Sequence, residues 1–271
     1  MSDDLTAMPR PREPVRTEVA GGVLVITLDR PPANAVDVPA SLALYEAFAR
    51  LERDRDLRAG IVTGSGDRFF CAGWDLKAAA AGEPVDADHG PGGFAGLTEL
   101  HGRAKPVIAA VNGLAAGGGF ELALAADMIV AAEHASFSLP EATLGIMADA
   151  GGVLRLPRRL PRPVAVELLL TGRSMGATEA AERGLINRIA PAGRALDSAL
   201  ELATAIAASA PLAVAAALEV LDATQDGSVA DGFALLRSGR LPRYAAMLSS
   251  QDAFEGPAAF AEKREPRWQG R

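Results

Sequence analysis

Apolar residues in this chain fall into short unbroken runs punctuated by glycine, proline and asparagine, and these runs alternate with stretches at helical spacing. Residues 15–19 and 23–28 are rich in Val, Ile and Leu and flank Gly21-Gly22, which predicts two strands joined as a hairpin. Arg30-Pro31-Pro32-Ala33-Asn34 ends the second strand, and Leu44, Phe48 and Leu51 then recur at the interval of a helix face. Ile61-Val62-Thr63 reads as a short buried strand closed by Gly64-Ser65-Gly66, and residues 69–77 as an apolar turn leading into a helix. Residues 81–96 concentrate Gly, Pro and Asp, the composition of a mobile loop. Val107 to Val111 is the next strand; Asn112-Gly113 turns it, a helix runs from about Gly118 to Ala126, and Met128 to Ala132 returns as a strand. Strand, turn, helix, strand is the βαβ rhythm, so the fold class is α/β with a mainly parallel sheet. After Pro157 the chain turns helical and alanine-rich, most clearly at 175–183 and 195–222, with a final short helix and charged tail over 256–271. No repeat of fixed period is present. The expected organisation is a flexible tail over 1–14, a core over 15–200 and a helical region over 201–271.

Two carboxylates break this pattern. Glu121 is the only charged residue between Lys105 and Asp127, and Glu141 the only one between Glu133 and Asp149. Each stands beside a turn, Gly117-Gly118-Gly119 for the first and Leu139-Pro140 for the second. A carboxylate held away from water is costly unless paired or protonated, and its pKa rises toward the range useful for moving protons at neutral pH. Two such groups aimed at one substrate would form an acid/base pair. The structural alternative is that both are merely helix-start acids favoured by the dipole.

Composition narrows the reading only a little. The 271 residues are 49% hydrophobic and 23% charged, ordinary for a globular protein with a sizeable core. The net charge of −7 argues against a broad nucleic-acid footprint. A single cysteine, Cys71, excludes an intrachain disulfide and fits a reducing compartment. The N-terminus lacks the basic-then-apolar layout of a signal peptide, and the longest apolar stretch, 106–126, is interrupted by Asn112, glycines and Glu121. Cytoplasm is the expected compartment, with no membrane partner.

The glycine turns supply the complementary chemistry. Backbone amides in the first turn of a helix lack internal partners and sit at its positive end. Gly117–Gly119 is therefore suited to stabilising negative charge, and Ala72-Gly73-Trp74 is a second such turn. One N–H from each would make an oxyanion hole; alternatively the glycines only permit tight helix–strand packing. Phe120-Glu121 follows the triplet where a nucleotide-binding loop needs Lys-Ser/Thr, so no nucleotide loop is read here. Cys71 reads as a small buried side chain, Ser65 matches a nucleophile turn only weakly, and His89, His101 and His134 read as surface or loop residues without metal-ligand spacing.

Taken together, Phe70-Cys71-Ala72-Gly73-Trp74-Asp75-Leu76-Lys77, Lys105 to Gly113, Gly117-Gly118-Gly119-Phe120-Glu121-Leu122-Ala123 and Leu139-Pro140-Glu141-Ala142 resemble, in order and spacing, the enoyl-CoA hydratase/isomerase (crotonase) superfamily. Thr171-Gly172-Arg173 and Ala180 to Ile186 extend the likeness over nearly all of the chain after residue 14. The resemblance implies a crotonase-like spiral of ββα units with a helical C-terminal trimerisation region, assembled as a homotrimer or a dimer of trimers. It implies Glu121 and Glu141 as catalytic carboxylates, the Trp74 and Gly118 amides as the oxyanion hole, and Trp74, Asp75, Leu76, Lys77 and Gly118 as the acyl-CoA path. It implies no metal and no cofactor, coenzyme A being part of the substrate. Residues 72–80, 90–99, 118–127 and 259–264 carry a closer likeness to the branch whose acyl group bears a trimethylammonium, for which Trp74, Phe94 and Asp149 are candidate contacts. Two departures are Ile146-Met147-Ala148-Asp149, where relatives often have a proline whose absence should loosen the loop that carries Glu141, and Leu114, near which relatives often have an aromatic residue. The rival readings are a general short-chain hydratase or an isomerase, a hydrolase acting through Ser65 or Cys71, and an inert binding protein.

Overall fold

A computed structural model describes residues 13–271; the tail expected over 1–14 therefore lies almost wholly outside the described residues. Strands β1 (Val15–Ala20) and β2 (Val23–Leu28) form the antiparallel hairpin expected around Gly21-Gly22. Helix α1 (Val38–Arg53) follows, started by the Asp37 side chain, which accepts from Ala40 N, with proline in its first turn. Leu44, Phe48 and Leu51 are all fully buried on its inner face, and each such side chain contributes about 1.5–3 kcal/mol of burial free energy.

From here the chain repeats one motif three times. A strand in a large sheet is followed by a short strand in a small sheet and then by a helical segment. The first round is β3 (Ala59–Gly64), β4 (Phe69–Cys71) and α2 (Leu76–Ala80). The second is β5 (Val107–Val111), β6 (Leu114–Ala116) and α3 (Gly118–Ala125). The third is β7 (Met128–Ala132), β8 (Ser136–Ser138), a 3-10 turn at Glu141–Leu144 and α4 (Gly152–Arg159). The chain continues through α5 (Arg162–Thr171), the two-residue strand β9 (Met175–Gly176), α6 (Ala177–Glu182) and β10 (Arg188–Ala190). The large sheet has the order β1-β2-β3-β5-β7-β10 and is parallel beyond the hairpin; the small one has the order β4-β6-β8-β9. The alternation of strands between two sheets is a spiral of ββα units.

The central strands are buried on both faces, which is why their sequences are continuous apolar runs. Val62, Val107, Ala109 and Ile129 point into one hydrophobic cluster with α1 and α3. Their neighbours Ile61, Ile108, Ala110 and Val130 point into a second, covered by α7 (Ala195–Ala207) through Ala199 and Ala203.

The stretch 195–222, expected as one helix, is two: α7 and α8 (Pro211–Thr224) meet at an angle of 106°. Pro211 causes the break, because proline cannot donate to the preceding turn and restrains Ala210 to extended backbone. Among the described residues no single helix is long and apolar enough to cross a membrane. Helices α9 (Val229–Arg237), α10 (Pro242–Leu248) and α11 (Asp252–Glu262) complete the C-terminal region. The last begins four residues before the expected 256 and ends before the tail. The 81–96 loop also departs from expectation in its second half: a 3-10 turn at Phe94–Gly96 is buried, because Ala95 N donates to the Ser41 hydroxyl of α1 at 3.0 Å.

Candidate active site

Tight glycine contacts join the two turns singled out in the sequence. Val36 pairs with the strand-like segment at Trp74: Val36 N donates to Gly73 O and Asp75 N to Val36 O, which turns the intervening Trp74 N–H to the opposite side. Gly73 has φ +86°, and a Cβ there would lie 2.7 Å from Ala116 O and 2.9 Å from Gly118 N. Only glycine therefore lets the end of β4 touch the start of α3. A Cβ on Gly119 would strike the Cys71 carbonyl, and one on Gly118 the Phe94 ring. Gly118 is the first residue of α3, so its N–H is one of the helix's unfilled donors. Among the described residues neither Trp74 N nor Gly118 N finds a hydrogen-bond acceptor.

Both glutamates converge on the same place. Glu121 is in the first turn of α3 and 3% exposed; its Oε1 accepts from Gly152 N, the first residue of α4, at 2.8 Å. Burial pushes its pKa up to about 8, opposed by the Gly152 bond and Arg155 and reinforced by the charges of Glu141 and Asp149. Glu141 opens the 3-10 turn after β8 and is 7% exposed. Its Oε1 lies where a Gly117 side chain would be, 2.6 Å from that ideal Cβ. Its Oε2 is buried without a hydrogen-bond partner among the described residues. Burial raises its pKa, against a bond to its own backbone and with the help of Asp149. A buried carboxylate oxygen without a protein partner is costly in its charged form. The segment that follows is closed by Ile146 N→Glu141 O, Asp149 N→Met147 O and Val153 N→Ala148 O.

A cavity of about 330 Å³ gathers all the residues expected at the site: Glu121, Glu141, Gly118, Trp74, Asp75, Leu76 and Lys77. Phe94 and Asp149 line it as well. The Asp75 carboxylate is held by local structure, accepting from Lys77 N at the start of α2 and facing Arg30 at 3.3 Å. Ser65 and Cys71 stand apart from this cavity. Ser65 donates to the Asn34 side chain. Cys71 is fully buried, and burial drives its thiol up to about 12. A thiol so far from ionising is no nucleophile. His101 and His134 are exposed, as expected for surface residues. His89 lies on the loop, as expected, and turns inward to line the cavity, its Nδ1 2.8 Å from the buried Ser41 hydroxyl. Among the described residues no three His, Cys, Asp or Glu groups could hold a metal together.

Sequence reasoning missed Gly152, Arg155, Ser41 and Glu83. Gly151-Gly152 before an amphipathic stretch is the same glycine-opened helix signal that marked Gly117–Gly119, and could have shown Gly152 as a donor. Glu83, whose Oε1 accepts from the Trp74 indole at 2.7 Å, left no local signal.

The enoyl-CoA hydratase/isomerase family model matches residues 18–271. The chain is 60% identical over 251 residues to a carnitinyl-CoA dehydratase of Proteus mirabilis (strain HI4320), covering 93% of this chain and 96% of the relative. It is 58% identical over 258 residues to one from Salmonella arizonae, covering 95% and 99%. Among solved structures, an enoyl-CoA hydratase from Mycobacterium tuberculosis H37Rv superposes with a TM-score of 0.87 at 45% identity, covering 96% of this chain and 100% of that one. A carnitinyl-CoA hydratase from Mycobacterium avium gives 0.75 at 45% identity, with the same coverage.

Proposed function

The chain belongs to the enoyl-CoA hydratase/isomerase family, and from that premise we propose that it adds and removes water across the C2–C3 bond of an enoyl-CoA thioester, acting as a carnitinyl-CoA dehydratase. The observation that carries the reaction is the convergence of Glu121 and Glu141, both buried, on a cavity that also receives the Trp74 and Gly118 turns. The acyl preference is supported by the 60% identity to a relative of that name.

In this reading the thioester oxygen accepts hydrogen bonds from Trp74 N and Gly118 N. Withdrawal of electron density makes C3 electrophilic and stabilises the enolate that forms as oxygen adds. Two neighbouring buried carboxyls favour sharing one proton near neutral pH, because a second charge would be uncompensated. A water bridging the pair gives its proton to the charged member as its oxygen attacks C3, and the neutral member delivers a proton to C2. The reverse sequence expels water from the 3-hydroxyacyl thioester. Lys77 and the rim of the cavity receive the coenzyme A portion, and the reaction calls on no metal or redox cofactor.

Self-assembly as a trimer or a dimer of trimers is part of the proposal. Leu221, Val229, Phe233, Phe254 and Phe260 expose between 52% and 87% of their surface on the C-terminal helices, more apolar area than scattered surface residues require. Residues 15–200 would then form the catalytic core and 201–271 the assembly region, although α7 runs on to Ala207 and keeps Ala203 against the sheet, so the physical joint is the reversal before Pro211. The single buried thiol agrees with a cytoplasmic setting.

Loss of the conjugated-thioester absorbance on a panel of enoyl-CoA substrates, crotonobetainyl-CoA included, tests the reading. Hydration with crotonobetainyl-CoA preferred supports it. Conversion of positional isomers without hydration would make the protein an isomerase. In that case Glu121→Gln and Glu141→Gln should differ sharply, whereas a hydratase loses activity with either.

A further inference from the structure

His89, which the catalytic scheme leaves idle, belongs to the cavity that holds the two glutamates. Its ring meets Phe94 edge-on, with centroids 5.1 Å apart, and Trp74 lines the same cavity, so three aromatic groups border one space. The ring is held from behind. Ser41 Oγ is buried, accepts from Ala95 N and lies 2.8 Å from His89 Nδ1. Glu83 holds Trp74, one oxygen on the Trp74 indole and the other accepting from Val38 N.

We propose that His89, held in place by Ser41, is a specificity-determining residue that accepts a quaternary ammonium on the acyl chain alongside Phe94 and Trp74. This rests on the acyl preference proposed above. A trimethylammonium group cannot donate a classical hydrogen bond and is weakly hydrated, so aromatic walls and nearby carboxylates are the surfaces that favour it. A neutral imidazole completes such a wall. An imidazolium would place a like charge within it.

The groups facing His89 agree with a neutral ring in working conditions. Burial lowers its pKa, while the charges of Glu83, Asp88, Asp37 and Glu99 act in the opposite direction. Asp37 comes from the start of α1, and the other three from the loop and its continuation. With the pKa below its ordinary value of 6.5, the ring is neutral at pH 7 and charges only on acidification. Preference for a cationic acyl group should therefore fall as pH drops below that value. A neutral acyl group should be indifferent to this event.

The experiment compares kcat/KM for crotonobetainyl-CoA with that for crotonyl-CoA between pH 5 and pH 7.5. Cavity carboxyls titrate in the same range and also favour a cation, so the share due to His89 is the difference between the wild-type ratio and that of His89→Phe, which keeps a ring but cannot be charged. The wild-type ratio is expected to fall more steeply on acidification than that of His89→Phe, which should retain the preference; His89→Ala should lose the preference. If the wild type shows no preference for crotonobetainyl-CoA at any pH, the proposed acyl group is wrong and the inference goes with it. If the wild type prefers crotonobetainyl-CoA but its profile matches that of His89→Phe and His89→Ala leaves the ratio unchanged, this inference alone is overturned. Should His89→Ala fail to fold, the comparison of the wild type with His89→Phe decides the matter.

Discussion

Replacing Glu121 by glutamine should make the protein more stable in a way that grows with pH. Glutamine keeps an Oε1 acceptor for the Gly152 amide while removing the ionisable group. The wild-type carboxyl has its pKa raised from 4.5 to about 8, chiefly by burial. Below about pH 4 it is protonated in both folded and unfolded chains and contributes no pH dependence. Above that, the unfolded chain releases the proton while the folded one retains it, so stability declines until the pH passes the folded value. At about 1.4 kcal/mol per unit, the accumulated loss is roughly 0.8 kcal/mol at pH 5 and about 3.3 kcal/mol at pH 7. The variant lacks this loss, so its advantage over the wild type should widen by about 2.5 kcal/mol across that interval. Any constant cost of burying the extra amide hydrogens cancels in the comparison. Urea unfolding of both proteins at fixed protomer concentration, at pH 5, 6 and 7, measures it. A gap that stays constant within about 0.5 kcal/mol would show that Glu121 ionises normally in the fold, and the account of a shared proton would fail.

Other outcomes follow from contacts in the same region. Gly73→Ala should lower kcat by about a hundredfold or more, since a Cβ 2.7 Å from Ala116 O and 2.9 Å from Gly118 N must shift an oxyanion amide; unchanged single-turnover rates would contradict this. Gly117→Ala should displace the Glu141 carboxylate, whose Oε1 lies 2.6 Å from the ideal Cβ, and lower kcat more than it raises KM. Arg155→Gln removes a positive charge that favours ionised Glu121, so the basic limb of the pH–rate profile should move upward; a downward move would refute the assignment. Cys71, with its thiol driven up to about 12, should resist alkylation at pH 8 in the folded protein and react only on unfolding, as mass spectrometry would show.

The sequence disclosed those parts of the fold whose information is local. Strands β5 and β7 are unbroken apolar runs because both faces of their sheet are covered, and they begin and end where the pattern says. The small sheet was invisible: β4, β6 and β8 are three residues each, too short to display a period, and are defined by their partners. Alanine at 203, 205, 207 and 208 carried helical propensity across the reversal before Pro211, and propensity alone cannot report a change of direction. At the site, Glu121 and Glu141 stood out because isolated charge in apolar surroundings is a one-dimensional signal. His89 gave none. Its loop composition reads as exposed, and only Ser41, 48 residues away, turns it inward.

The central claim is that the two carboxyls and two backbone amides surround one thioester, and a crystal structure of the Glu141→Gln protein with crotonobetainyl-CoA bound tests it most directly. The account predicts the thioester oxygen about 3 Å from both Trp74 N and Gly118 N, with Glu121 and position 141 on the same face of the C2–C3 bond and a water between them. A thioester oxygen turned away from those amides, or either side chain on the far side of that bond, would contradict it.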